Sequence, residues 1–276
     1  TNSFRTALLT RVGRVRQRAG YDRDGRGWLL THRVAPLRGP DARAAPVPTI
    51  DYYLDLMASL GVTPQGRYME LPVDDQADRQ AADLLASAGV SPGETLVMLN
   101  PGAAYGPSKL WPAERYAAVG DALAEAHRAR IIINAAPAER PIAREVEQAM
   151  HAPPAVSFAR RDNTVGLLKA LVRRCALVVT NDTGARHVAA AMGAAVVTVF
   201  GSTDPTWARI DCPHERIVLA DVPCSPCQRK HCPLPAGPDH HRCMRSVRVE
   251  DVLAAADELL AARTGAAAGG MTEDGA

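Results

Sequence analysis

The sequence predicts an α/β chain built around a parallel sheet with helices on both faces. From Asp74 onward, short runs of β-branched and aliphatic residues alternate with longer segments whose apolar residues recur at helical spacing. The short runs are apolar throughout, which is what strands buried on both faces require. Residues 177–200, LVVTNDTGARHVAAAMGAAVVTVF, compress a strand, a polar turn, an alanine-rich helix and a second strand into one βαβ unit.

Taken in order, the alternation predicts helix Asp74–Ala88, a turn at Ser91-Pro92-Gly93, strand Thr95–Asn100, helix Pro112–Arg128 and strand Ile131–Asn134. It continues with helix Ala138–Met150, strand Ala155–Phe158, helix Thr164–Arg174, strand Leu177–Thr180, helix Ala185–Met192 and strands Ala195–Phe200 and Arg216–Leu219. Gly193 stands where a helix C-terminus favours positive φ, and Val249–Arg263 reads as a last helix. Before Asp74 the rhythm differs. Phe4, Ala7, Leu8, Val12 and Val15 predict a helix over Phe4–Arg18, with Arg5, Arg11, Arg14, Arg16 and Arg18 riding on it. Such a basic face suits an acidic acceptor or an anionic lipid surface, although a solvated face is the plainer reading. Trp28–Thr31 reads as a short strand, the proline-rich stretch Pro36–Pro48 as a loop and Tyr52–Leu60 as a helix. The expected division is therefore a first domain over 1–73, a second over 74–263 and a disordered tail over 264–276.

With 276 residues, 47% of them hydrophobic and 22% charged, the chain is globular and long enough for two cores. A formal charge of +2 gives no field that would recruit nucleic acid. No apolar run approaches the roughly 18 residues of a membrane span, and no signal peptide is expected. The expected location is cytoplasmic, or at most peripheral to a membrane. The chain opens on Thr1, and its first residues read as the middle of a domain, so the N-terminal domain is expected to be incomplete.

In an open parallel sheet, ligands bind beyond the C-terminal ends of the strands. That rule gathers Asn100-Pro101-Gly102, the turn after Asn134, Asn181-Asp182-Thr183-Gly184 and Gly201-Ser202-Thr203-Asp204 into one place. Asp182, Thr183 and Gly184 would sit at a helix N-terminus, where free N–H groups and the helix dipole favour a phosphate or a sugar hydroxyl. His187, one turn on, would face the same ligand. The plainer alternative is that Asp182 and Thr183 only cap the helix. Between Asn100 and Pro112, Lys109 is the sole cation, placed to meet a diphosphate or else simply a surface lysine; Trp111 reads as a hydrophobic staple. Neither GxxxxGK nor GxGxxG occurs, which argues against a P-loop ATPase and a dehydrogenase.

The cysteines leave two readings open. Cys224, Cys227, Cys232 and Cys243 have spacings compatible with tetrahedral zinc, with His231, His240 and His241 as further donors. A structural loop of reduced thiols fits equally well, and Cys175 reads as core.

PGAAYGPSKLWP, followed about 70 residues later by VVTNDTGARHVAAAMGAAVVTVFGSTDP, resembles glycosyltransferase family 9. The likeness is nearest to its ADP-heptose:lipopolysaccharide heptosyltransferase II subgroup. CSPC, CPL, HHRCM and the opening TNSFRTALL also resemble that subgroup. The resemblance implies a GT-B fold of two Rossmann-like domains facing a cleft, with the nucleotide sugar held mainly by the second. It implies an inverting glycosyltransferase of lipopolysaccharide biosynthesis that moves L-glycero-D-manno-heptose from ADP-heptose to the heptosyl-Kdo2-lipid A inner core. No cofactor and no metal for the chemistry are implied, and the expected place is the cytoplasmic face of the inner membrane. Residue by residue, Lys109 resembles the lysine on the donor phosphate or sugar. Asp182, Thr183, Gly184 and His187 resemble the donor-binding set, with Asp182 on sugar hydroxyls and the Thr183-Gly184 amides on the diphosphate. Glu139 stands where an acidic residue holds the ribose. Ala104 and Tyr105 replace threonines found in other branches, so backbone contacts are expected there. The family's N-terminal strand and glycine-rich loop, with the aspartate thought to act as general base, have no counterpart here. A donor-binding chain without transfer, or a relative using another donor or acceptor, are the alternative expectations.

Overall fold

The computed structural model describes residues 3–36 and 47–269, with 264–269 by backbone alone. The chain divides into two units, Thr1–Arg67 with Pro205–Asp211, and Tyr68–Asp204 with Cys212–Ala276.

In the first unit, helix α1 (Phe4–Val12) precedes two short parallel strands, β1 (Ala19–Tyr21) and β2 (His32–Val34), and helix α2 (Thr49–Ala58) follows. Tyr21 stacks on Tyr52 with ring centroids 4.0 Å apart and donates its hydroxyl to the Tyr52 carbonyl at 2.8 Å. The helix expected over Phe4–Arg18 stops at Val12, because Gly13 caps it and Arg14 turns to φ +53°. Arg14, Arg16 and Arg18 thus lie beyond its end, and of its own residues only Ala7 is buried. Phe4, Leu8 and Val12, which set the helical spacing, are exposed. The strand expected at Trp28–Thr31 is instead a single turn of 3-10 helix over Gly27–Leu29, with Leu29 buried, Trp28 exposed and the strand shifted to His32–Val34. Most of the loop expected over Pro36–Pro48 lies outside the described residues, as does the tail beyond Gly269.

The second unit follows the predicted alternation. Helix α3 (Asp75–Ser87) starts at Asp74, whose carboxylate accepts from the Ala77 amide at 2.8 Å, a conventional N-cap. Then come β3 (Leu96–Asn100), α4 (Ala113–His127), β4 (Arg130–Ile133), α5 (Arg140–Ala149), β5 (Val156–Ser157), α6 (Val165–Arg174), β6 (Leu177–Asn181), α7 (Gly184–Ala191), β7 (Ala195–Val199) and β8 (Glu215–Val218). The short α8 (Arg242–Arg245) and the long α9 (Val249–Gly269) close the unit. Backbone helix in α9 runs past Arg263, so residues 264–269, expected to be disordered, extend it.

All six strands are parallel, in the order β5-β4-β3-β6-β7-β8. This is the order of a doubly wound Rossmann-type sheet, in which the chain starts in the middle, winds to one edge, returns and winds to the other. Helices α4, α5 and α9 cover one face, and α3, α6 and α7 the other. Every residue of β3, β6 and β7 is buried, as continuous apolar runs demand. The winding reverses between β3 and β6, which opens a crevice beyond Asn100 and Asn181.

Candidate functional site

Polar residues at the ends of the central strands are tied to one another across the reversal point. Asn100, at the end of β3, donates its amide to the hydroxyls of Thr180 (3.1 Å) and Thr183 (3.2 Å). Its oxygen accepts from the Asn134 amide at 2.6 Å, and Asn134 accepts in turn from Asn163 at 2.6 Å. Asn181 donates to the carbonyls of Pro101 (3.0 Å) and Gly102 (3.2 Å), which fixes the loop after β3 against the end of β6. Buried amides stay in place only when so partnered, and these partners hold four loop starts in register.

Lys109 ends the 3-10 turn Pro107–Lys109. The turn is anchored from the cysteine-bearing segment: Ser108 donates its hydroxyl to the Arg229 carbonyl at 2.5 Å, the Ser108 amide reaches the Lys230 carbonyl at 3.2 Å, and Tyr105 donates to the Gln228 carbonyl at 3.1 Å. A Cβ on Gly106 would collide with the Lys230 carbonyl, so glycine is what allows this approach. Lys109 is buried, and its ammonium lies 2.5 Å from Asp182 Oδ2. The plain surface-lysine reading is therefore excluded. Thr203 also donates to Asp182 Oδ2, at 3.0 Å.

Thr183 occupies the N-cap position of α7, yet its side chain makes no capping bond; it pairs with Asn100 instead. Asp182 likewise spends its carboxylate on Lys109 and Thr203. The first turn of α7 is thus uncapped by side chains, and its positive end faces a cleft of about 310 Å³ lined by Asn100, Ala104, Glu139, Asn163, Thr183 and Gly184, among others. Glu139 reaches this cleft from the turn Pro137–Glu139, its carboxylate accepting from the Ala136 amide at 3.2 Å and filling the space beside Gly102. The cleft and the α7 amides form a place where an anion can be held; Lys109 and Asp182 pair with each other at the same strand ends but are not among the residues that line the cleft.

The model of glycosyltransferase family 9 (heptosyltransferase) matches residues 1–236. The chain belongs to that family. Lipooligosaccharide heptosyltransferase 2 of Campylobacter jejuni is 31% identical over 173 residues, 61% of this chain and 52% of that protein. E. coli ADP-heptose lps heptosyltransferase II superposes with a TM-score of 0.73 at 20% identity, over 96% of this chain and 76% of the other. E. coli heptosyltransferase WaaC, solved with ADP, superposes with a TM-score of 0.53 at 19% identity, over 85% of this chain and 61% of the other. The fold is accordingly GT-B, as expected from the resemblance. The chain spans about half the length of the Campylobacter relative.

Within this family 9 chain, the structure brings Lys109 and Asp182 into contact and sets Glu139, Thr183 and Gly184 on one cleft. His187, expected to face the same ligand, shares with Lys109 and Asp182 that it does not line that cleft; it is half-buried on α7, among the charges of Arg186, Asp182, Glu215 and Lys109. Burial, and then the Arg186 guanidinium, push its pKa below the ordinary value of 6.5 against the pull of Asp182 and Glu215. A histidine with a lowered native pKa binds its proton more readily unfolded, so stability falls as pH drops through about 6.5. Thermal melts at pH 8 and pH 5.5 should show a smaller acid-induced drop for His187→Gln than for the unsubstituted chain, and equal drops would place the effect elsewhere.

Sequence reasoning missed Arg186. It is fully buried and forks onto Glu215, Nε to Oε1 at 2.5 Å and the second nitrogen to Oε2 at 2.8 Å. The family motif contained it, but nothing local announced a partner 29 residues away. The four cysteines 224, 227, 232 and 243 are all free thiols. Burial, and then proximity to Cys224, Cys227 and Cys232, raise the Cys243 thiol to about 11. Among the described residues no group of three or more His, Cys, Asp or Glu side chains is gathered closely enough to hold a metal ion. Burial takes Cys175 to about 12, so as a core residue it stays a thiol at neutral pH. Among the described residues no helix is long and apolar enough to cross a membrane.

Proposed function

We propose that the second unit binds ADP-heptose at the reversal point of the sheet, and that the protein transfers the heptose with inversion to the heptosyl-Kdo2-lipid A inner core. The observation that carries the donor site is the buried Lys109–Asp182 pair beside the uncapped start of α7. In this reading the diphosphate lies on the Thr183-Gly184 amides and draws Lys109 to it, Asp182 accepts hydrogen bonds from heptose hydroxyls, and Glu139 holds the ribose. His187 acts on the same charges without lining the cleft. The acceptor hydroxyl attacks the anomeric carbon, the bond from that carbon to the diphosphate oxygen breaks, and ADP leaves. The hydroxyl proton passes to a base outside this set of residues. Charge grows on the departing diphosphate, and fixed donors aimed at developing charge are the largest single source of rate in such reactions. A lipid-linked acceptor would be met at the cytoplasmic face of the inner membrane.

Calorimetric titration of the chain with ADP-heptose, ADP, a UDP-sugar and NAD tests the donor assignment. Binding of ADP-heptose and ADP alone is the expected result. A preference for the UDP-sugar would reassign the donor, and binding of NAD alone would overturn the reading.

A further inference from the structure

The charged groups at the strand ends continue beyond Asp182. While Lys109 and Thr203 occupy Asp182 Oδ2, the other oxygen, Oδ1, lies 3.9 Å from a guanidinium nitrogen of Arg186, four residues on in the first turn of α7. Arg186 is in turn forked onto Glu215, whose Oε1 also accepts from the Thr198 hydroxyl at 2.6 Å. The guanidinium lies over the Phe200 ring, 5.2 Å from its centroid. The result is an alternating row of buried charges, Lys109, Asp182, Arg186 and Glu215, with side-chain exposures of 11%, 9%, 0% and 7%.

The two cations in this row differ physically. Arg186 is fully buried, forked and stacked, so it is fixed in place. Lys109 is a point charge on a flexible stem, bonded to Asp182 through Oδ2 and through the backbone carbonyl at 3.2 Å, so an incoming anion can take it only by breaking those bonds. A buried carboxylate stripped of its counter-ion is strongly unfavourable, so Lys109 can leave Asp182 only if a second cation stays behind.

We infer that Arg186, held by Glu215, is a positioning residue: it keeps a fixed counter-ion on Asp182 and so releases Lys109 to an incoming nucleoside diphosphate. This rests on the donor site proposed above.

The test is a cycle read by calorimetry with ADP, which engages Lys109 without needing the sugar contacts of Asp182. Arg186→Met combined with Glu215→Gln removes the buried pair together, a replacement that cores generally tolerate. ADP affinity should fall about tenfold on the Asp182 background and stay within about twofold on the Asp182→Asn background, where no carboxylate restrains Lys109. A merely structural disturbance of α7 would lower affinity on both backgrounds alike, and that outcome overturns the inference, as does no loss on either. If melting curves show the double variant unfolded, Arg186→Lys is read by the same criterion, since lysine cannot reproduce the fork. Failure of the unsubstituted chain to bind ADP would sink the donor-site reading and the inference with it. Binding by the unsubstituted chain without the background dependence sinks the inference alone.

Discussion

Asp182→Ala is expected to weaken ADP-heptose binding about 100-fold and to lower the melting temperature sharply. The binding loss follows from two or so charged hydrogen bonds to sugar hydroxyls, each worth about 1.5–3 kcal/mol. The stability loss has a separate origin. Removing one partner of a buried ion pair leaves the other charge uncompensated, at a cost of about 3–5 kcal/mol, and Lys109 is the charge left behind. For a chain of this size that corresponds to a fall of roughly 6–20 °C. Lys109→Met should cost less stability, because Asp182 keeps Thr203 at 3.0 Å and Arg186 at 3.9 Å. The two effects are read separately, by melting without ligand and by titration at a temperature where both proteins are folded. A donor affinity near that of the unsubstituted chain would remove Asp182 from the site.

The sheet was legible in the sequence because its information is local. A run such as 96–99 (LVML) is apolar at every position, and Asn181 through Gly184 breaks strand from helix within four residues. Once the elements are parallel strands and covering helices, the crevice beyond the strand ends follows, and with it the neighbourhood of Lys109 and Asp182. What the sequence did not disclose depends on pairings between distant segments. Asn100, Asn134 and Asn163 form a chain of amides across three loops, and no periodicity relates them. Arg186 looks like one more helix-surface arginine until Glu215 and Phe200 are brought beside it. The predicted helix over Phe4–Arg18 starts where expected but overruns, because the apolar spacing continues to Val15 while Gly13 caps the helix and Arg14 turns to φ +53°. His187 follows Gly184 by three residues on α7, and what sequence spacing could not show is that it lies among the charges of Arg186, Asp182, Glu215 and Lys109.

Trp111→Ala should destabilise the chain about as much as Asp182→Ala while leaving the donor site competent. Trp111 is fully buried, lies edge-on to Tyr116 with centroids 5.0 Å apart, and donates its indole N–H to the Val247 carbonyl at 3.1 Å. It therefore joins the segment entering α4 to the segment entering α9, and Arg115 donates to the same carbonyl from the first turn of α4. Truncation removes the packing of a whole indole and opens a cavity that surrounding helices fill only in part, a loss of about 3–5 kcal/mol. The Val247 carbonyl keeps Arg115, so its lost bond adds little. Lys109 lies two residues away but is held by the turn Pro107–Lys109, by the carbonyls of Arg229 and Lys230 on Ser108, and by Asp182, none of which depends on the indole. ADP-heptose affinity measured well below the new melting temperature should stay within about threefold of the unsubstituted chain, a difference of less than 1 kcal/mol. Two variants with similar melting temperatures and opposite binding behaviour would separate the core around Trp111 from the charges around Asp182. A loss of ADP-heptose binding in folded Trp111→Ala would show instead that Lys109 takes its position from the indole, and the account of how the loop after β3 is held would have to be redrawn.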